Sequence, residues 1–250
     1  MDDTEHAVPV EDGPKRVRAY FGGQLIADTV APKLVWEDRP YPGYYFPRED
    51  VHMELLTPSG RGATSEALGE ASCFDVVGGG RVAEAAAWQY PEAPVEGLRR
   101  LIRFDWEAMD AWFEEDEEVF VHPRSPYVRV DILASSRHVE VVLGGVTVAD
   151  SHQPRLLFET GLPTRYYMPQ VDLRMDLLLP SDTSTPCPYK GNAKYWSVAA
   201  GNEVFEDVVW TYPTPAPESV KIAGLACFLN EKVDLHVDGV LQERPDSPFS

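Results

Sequence analysis

Cysteine is scarce in this chain. Cys73, Cys187 and Cys227 are scattered and none falls in a Cys-x-x-Cys pair, which excludes a disulfide framework and the paired-thiol redox and zinc motifs. Positive charge is also short: 22 Lys and Arg stand against 41 Asp and Glu, a formal net charge of −19. Such a chain repels phosphate backbones and anionic lipid, so neither nucleic acid nor a membrane surface is an expected partner. No apolar run approaches the roughly 20 residues needed to cross a bilayer. The opening MDDTEHAVPVEDGPK is acidic where a signal peptide is basic and then apolar. Together these absences predict a cytoplasmic chain with reduced thiols.

Recognisable catalytic spacings are missing as well. There is no Gly-x-Ser-x-Gly elbow, Walker loop or dinucleotide fingerprint. The six histidines, at positions 6, 52, 122, 138, 152 and 236, form no His-x-x-x-His pair and have no cysteine at zinc spacing, so no metal and no cofactor are expected. Glu114 to Glu118, with one Asp among them, lacks the alternation of a calcium loop and reads as a solvated edge.

What is present is a duplication. Sliding the chain by 122 positions lays RVRAYFGGQLIADTVAPKLVWE from Arg16 over HVEVVLGGVTVADSHQPRLLFE from His138. The same offset lays YYFPREDVHMELLTPS from Tyr44 over YYMPQVDLRMDLLLPS from Tyr166, AWQYP around Trp88 over VWTYP around Trp210, and Ser125-Pro126-Tyr127 over Ser247-Pro248-Phe249. The sequence thus predicts two tandem copies, 16–127 and 137–250, joined by Tyr127 to Ser136 and related by an approximate twofold rotation. The expected state is a monomer with pseudo-dimeric repeats or a weak homo-oligomer.

Each copy reads as mainly β, or α+β with one short helix. Gly22-Gly23 and Gly144-Gly145 separate β-prone runs, the signature of a hairpin whose primed turn needs positive φ at both central positions. A second hairpin is predicted around Gly78-Gly79-Gly80 and around Ala-Ala-Gly-Asn between Val198 and Val204. Between the hairpins, Pro47 and Pro169 open one or two helical turns. Leu101 to Trp106, Ala111 to Phe113 and Val119 to Val121 read as further strands.

The segment SDTSTPCPYKGNAKY from Ser181 to Tyr195, followed by EDVVWTYP from Glu206 to Pro213, resembles the signature of a bacterial family known as domain of unknown function 427. With the Tyr-Tyr-x-Pro and Gly-Gly elements the resemblance runs from about Val139 to Val237, and more weakly from Val17 to about Phe113. It implies a compact β-sheet domain of the tent-like kind in tandem. A nucleotidyltransferase label is sometimes attached to the family, and no motif in this sequence supports it.

The two copies differ in their reactive residues. Where the second has Cys187, Lys190, Tyr195, Trp196 and Asp207, the first has Ser65, Leu68, Cys73, Phe74 and Ala85. Glu37 with Glu159, Tyr44 with Tyr166, Tyr45 with Tyr167, Trp88 with Trp210 and Tyr90 with Tyr212 persist in both, and the shared aromatics are expected to hold the fold. Lys190, Tyr195, Trp210, Asp207, Tyr167, Cys187 and Glu159 are therefore the candidate ligand-binding residues. Lys190 could present its ammonium group to an anion or carbonyl, or pair with Glu206 or Asp207 and tie loop to strand. Cys187 reads as a small buried thiol rather than a nucleophile, since no histidine lies near it in sequence. Two functions follow. One is a small-molecule binding or enzymatic pocket in the second copy around Lys190. The other is a non-catalytic protein-interaction module in which the motif residues are structural.

Overall fold

The structure, a computed structural model, describes residues 8–37 and 39–250. The chain divides into two compact units at Ser125/Pro126. In the second unit a seven-stranded sheet runs in the order Val130–Ala134, Arg155–Glu159, Arg165–Pro169, Leu225–Phe228, Glu203–Thr211, Gly191–Ala200, Leu178–Cys187. A four-stranded sheet runs Val146–Ser151, Val139–Leu143, Asp234–Val237, Val240–Leu241. The first unit repeats both orders, from Val10–Asp12 to Leu56–Ser65 in the larger sheet and from Gln24–Thr29 to Glu117–Glu118 in the smaller. Neighbouring strands pair antiparallel throughout, and the fold class is the mainly-β duplication that the sequence predicts.

Side-chain alternation along the large sheet builds two cores on its two faces. In the strand Arg165–Pro169, Met168 turns toward a core shared with Val139, Val141 and Leu235 of the small sheet, while Tyr167 turns to the opposite face. Val209 and Phe228 follow Met168, whereas Trp210 and Cys227 follow Tyr167. The long hairpin Leu178–Cys187/Gly191–Ala200 shifts register between Pro180 and Ser184, and its two ends serve different cores. Leu178 and Val198 join the first; Cys187, Ala193 and Tyr195 join the second.

Four details differ from the sequence reading. Residues 127–136, expected as a link, contain the strand Val130–Ala134, paired with Arg155–Glu159 as Val10–Asp12 is with Lys33–Val35. The predicted helix is two 3-10 turns in each copy, Arg48–Asp50 with Met53–Leu55 and Gln170–Asp172 with Met175–Leu177. Each turn returns to extended backbone after three residues, too short for an α-helical ladder. Val119 to Val121 lie beyond the hairpin formed by Ala111–Glu114 and Glu117–Glu118 rather than in a strand. Finally, the offset of 122 does not hold to the end. Trp88 stands opposite Arg103, whereas Trp210 stands opposite Cys227, so the structural offset is 124 in that last strand of the large sheet. Two extra residues enter between Thr211 and Leu225.

The double-glycine turns have positive φ at both positions, 59° and 74° at Gly22 and Gly23, 55° and 75° at Gly144 and Gly145. Gly22 also lies against the Gly78 backbone at the tip of the other hairpin, where an added Cβ would collide with the Gly78 carbonyl, while the space around Gly23 is open. Gly22→Ala is expected to cost about 2 kcal/mol or more, against about 1 kcal/mol for Gly23→Ala, since only the first adds collision to left-handed strain. Chemical denaturation of the two variants measures the difference. Equal losses would remove the close approach of the hairpins as the reason for glycine at position 22.

Candidate functional site

Six of the seven candidate residues meet on one face of the large sheet in the second copy. Tyr167 and Trp210 belong to the core cluster that also holds Cys227, Tyr212 and Ile222, and the partly buried Cys187 and Tyr195 pack against it. At its edge the ammonium of Lys190 is hydrogen-bonded to Glu159, and the two side chains are only 12% and 7% exposed. Lys190 is placed by the loop after Cys187: the Lys190 carbonyl accepts from the Ala216 amide at 3.1 Å and the Tyr189 carbonyl from Ser219 Oγ at 3.0 Å. Gly191 has φ 96° and leaves room for the Thr214 carbonyl, 3.0 Å from where a Cβ would stand. Lys190 therefore pairs across 31 residues with Glu159, not with its expected partners Glu206 or Asp207.

The other polar ends also have protein partners. Trp210 Nε1 donates to Tyr167 Oη at 3.0 Å, with the rings edge to face at 6.3 Å. Tyr195 Oη and Thr185 Oγ1 share a hydrogen bond of 2.8 Å. Burial raises the hydroxyl pKa values of Tyr167 and Tyr212 and pushes the Cys227 thiol up to about 12, which keeps that sulfur protonated and poorly nucleophilic at neutral pH.

Asp207 is the candidate that the structure sets apart. It lies at the irregularity between the strands Gly191–Ala200 and Glu203–Thr211. It accepts from Thr183 Oγ1 at 2.6 Å, and its amide donates to Ser197 Oγ at 3.1 Å. Hydrogen bonds from Ser181 and Thr183 hold its carboxyl below the usual range. Its φ of 51° is matched by 49° at Ala85 in the first copy. The shared demand at this position is thus a left-handed backbone, which aspartate tolerates better than most residues.

Sequence reasoning missed Arg165 and Glu231. Arg165 donates to both Glu231 carboxylate oxygens at 2.7 Å and places its guanidinium 5.5 Å from the Trp210 ring centre. The first copy meets the same needs differently. There Arg103, at the strand position of Cys227, lies 4.7 Å over the Trp88 ring and donates to Glu37, which also accepts from Tyr45 Oη at 2.6 Å. Gly43 occupies the position of Arg165, and a Cβ there would stand 3.6 Å from Arg103 Nε. Leu68, in place of Lys190, is fully buried. Each copy therefore has a guanidinium over its tryptophan and a cation on its buried glutamate. One arginine does both in the first copy; an arginine and a lysine divide the work in the second.

A cleft lies elsewhere, within the first copy, lined by Glu37, Arg39, Tyr41, Arg103, Trp106 and Trp112 among others. Tyr41 stacks on His122 at 3.7 Å and Trp106 on Trp112 at 4.7 Å near its walls. Among the described residues no helix is long and apolar enough to cross a membrane.

A search of curated proteins finds no match. One family model, titled NTP_transf_9 and described as a domain of unknown function (DUF427), matches twice, over residues 9–115 and 131–239. The two matches take in most of both sheets of each copy and end before the outer strands Glu117–Glu118 and Val240–Leu241. With most of its length covered in this way, the chain belongs to the DUF427 family as a tandem member.

Proposed function

We propose that this protein is a non-catalytic interaction module in which the motif around Lys190 is structural. The observation that carries this reading is the exchange of cations between the copies. A group that binds or transforms a ligand must keep its atoms in place, whereas a group that compensates a buried charge can be replaced by any cation that reaches it. Lys190 enters from the turn after Cys187 and Arg103 from the strand Leu101–Phe104, yet each ends on the equivalent glutamate. The net charge of −19 favours a partner presenting Lys and Arg, with association that weakens as salt rises.

The test is a thermal-shift screen of the whole chain against nucleotides, sugar phosphates, amino acids and common cofactors. A compound at about 100 times its dissociation constant would add roughly 2.7 kcal/mol of stability. The expected result is no compound whose effect depends on the Lys190–Glu159 pair. A metabolite that stabilises the native protein but not the Glu159→Leu/Lys190→Leu variant would overturn the reading and put a small-molecule pocket in the second copy.

A second, small-molecule reading is favoured by the cleft in the first copy, where charged groups of both signs and aromatic rings converge. It predicts that a stabilising compound loses its effect in Arg39→Ala, at an exposed position on that cleft. A shift equal in native and variant protein counts against it.

A further inference from the structure

Three of the six histidines gather on the outward face of the small sheet in the second copy. Val139 pairs with Ser151, so His138 and His152, one residue beyond on each strand, face each other across the hairpin. Their rings stack at 4.2 Å with 14° between planes. His138 Nε2 lies 2.7 Å from Asp150 Oδ1, and one ligand atom from each of His138, Asp150 and His152 lies within 4.8 Å of the others. On the neighbouring strand His236 stands opposite Glu140. His152 and Asp150 are exposed and His138 is half-buried.

We propose that His138, Asp150 and His152 form a surface site for a divalent transition metal of the zinc type, with its remaining position open to water. Two imidazoles and a carboxylate are a donor set that zinc, nickel and copper(II) accept. Metal–ligand bonds of about 2.0–2.2 Å place neighbouring donors roughly 3.3 Å apart in a tetrahedron. The 4.8 Å spread closes to that separation by rotation of the exposed Asp150 and His152 side chains. Backbone register holds the set: the His138 amide donates to Asp238 Oδ1 at 3.0 Å, and the Asp238 amide returns a bond of 2.8 Å to the His138 carbonyl.

The first copy supplies the contrast. At the same three positions it has Arg16, Asp28 and Val30. Arg16 donates to both oxygens of Asp28, one of these bonds measuring 2.7 Å from Nε to Oδ1, so a permanent cation already compensates that carboxylate. Val30 is 76% exposed and offers no donor. In the second copy the guanidinium and the valine are both replaced by imidazoles, the change needed to let a metal ion take the place of the arginine. Helical spacing patterns do not detect this arrangement, because its two histidines lie 14 residues apart across a strand pair.

The experiment uses the full chain, stripped with a chelator and titrated with zinc chloride alone. Calorimetry gives the affinity, and the imidazole Cε1–H resonances identify the ligands. His138→Arg and His152→Val install the first copy's own residues, already accommodated in this fold. The expected result is one equivalent of zinc that shifts two histidine resonances, with affinity lowered about tenfold or more by His152→Val and lost in the double variant. Zinc bound equally by native and double-variant protein, or bound without perturbing His138 and His152, would assign it to other carboxylates and overturn the proposal. No binding by the native chain would overturn it as well.

Discussion

Lys190→Leu is expected to destabilise the second copy by about 3–5 kcal/mol, while Glu159→Leu/Lys190→Leu stays within about 1.5 kcal/mol of the native chain. The asymmetry follows from where the pair sits. Glu159 is 7% exposed on its side chain and Lys190 12%, so removing the lysine leaves a carboxylate with neither water nor a counter-charge. Shape is not the obstacle, because Leu68 occupies the equivalent loop position of the first copy and is fully buried there. The single variant therefore isolates the uncompensated charge, and the double variant removes it. Denaturation followed by tryptophan fluorescence reads the outcome, since Trp210 packs in the same cluster as Tyr167 and Cys187. If Lys190→Leu is as stable as the native chain, Glu159 does not depend on the lysine. If the double variant is as unstable as the single, the lost contribution is packing of the lysine stem rather than charge.

The parts of this protein that were legible in its sequence depend on local backbone demands. Paired glycines at 22–23 and 144–145 announced hairpins because few other residues accept two consecutive positive φ values, and both hairpins exist. Persisting rings at Tyr45, Tyr167, Tyr90 and Tyr212 announced a core, and all four are buried. Contacts between distant strands were not legible. The Val130–Ala134 edge strand is defined by its partner Arg155–Glu159 more than by its own pattern. The partner of Lys190 lies 31 residues away and is brought near only by the sheet order. A single offset of 122 also concealed the equivalence of Arg103 with Cys227, because two residues are added between the strands Glu203–Thr211 and Leu225–Phe228. Without that equivalence the sequence hides that the first copy supplies from the strand Leu101–Phe104 the cation that the second supplies from a loop. The arrangement of His138, Asp150 and His152 was hidden for a related reason: its spacing is set by strand register, not by position along one element.

Arg165→Met should cost about 3–5 kcal/mol and reverse part of the acid response of the second copy. Arg165 and Glu231 are 7% and 1% exposed on their side chains, with two parallel hydrogen bonds of 2.7 Å, and Ser247 Oγ adds a third to Glu231 at 2.5 Å. The guanidinium also lies near the rings of Trp210 and Phe249, so methionine keeps apolar contact but loses the charge. Burial by itself would raise the carboxyl pKa of Glu231, but the bonds from Arg165 and Ser247 outweigh it and hold the group below the usual carboxylate range. A carboxyl depressed on folding contributes stability that is fully present above its unfolded pKa, near 4.3, and is lost as pH falls through the lower folded value. The native chain should therefore lose this contribution on acidification from about pH 5 to pH 3. In Arg165→Met the arginine bonds are gone and burial dominates, so the folded pKa lies above the unfolded one. Stability is then recovered as the folded carboxylate takes up a proton, between its raised pKa and about 4.3, so the slope reverses above the unfolded pKa and flattens below it. Arg165→Met/Glu231→Met removes both charges and should remove this part of the pH dependence while returning most of the lost stability. Urea denaturation of the three proteins at several pH values provides the comparison. Parallel pH profiles for native and Arg165→Met would mean that Arg165 is not what holds the Glu231 carboxylate ionised in the folded chain.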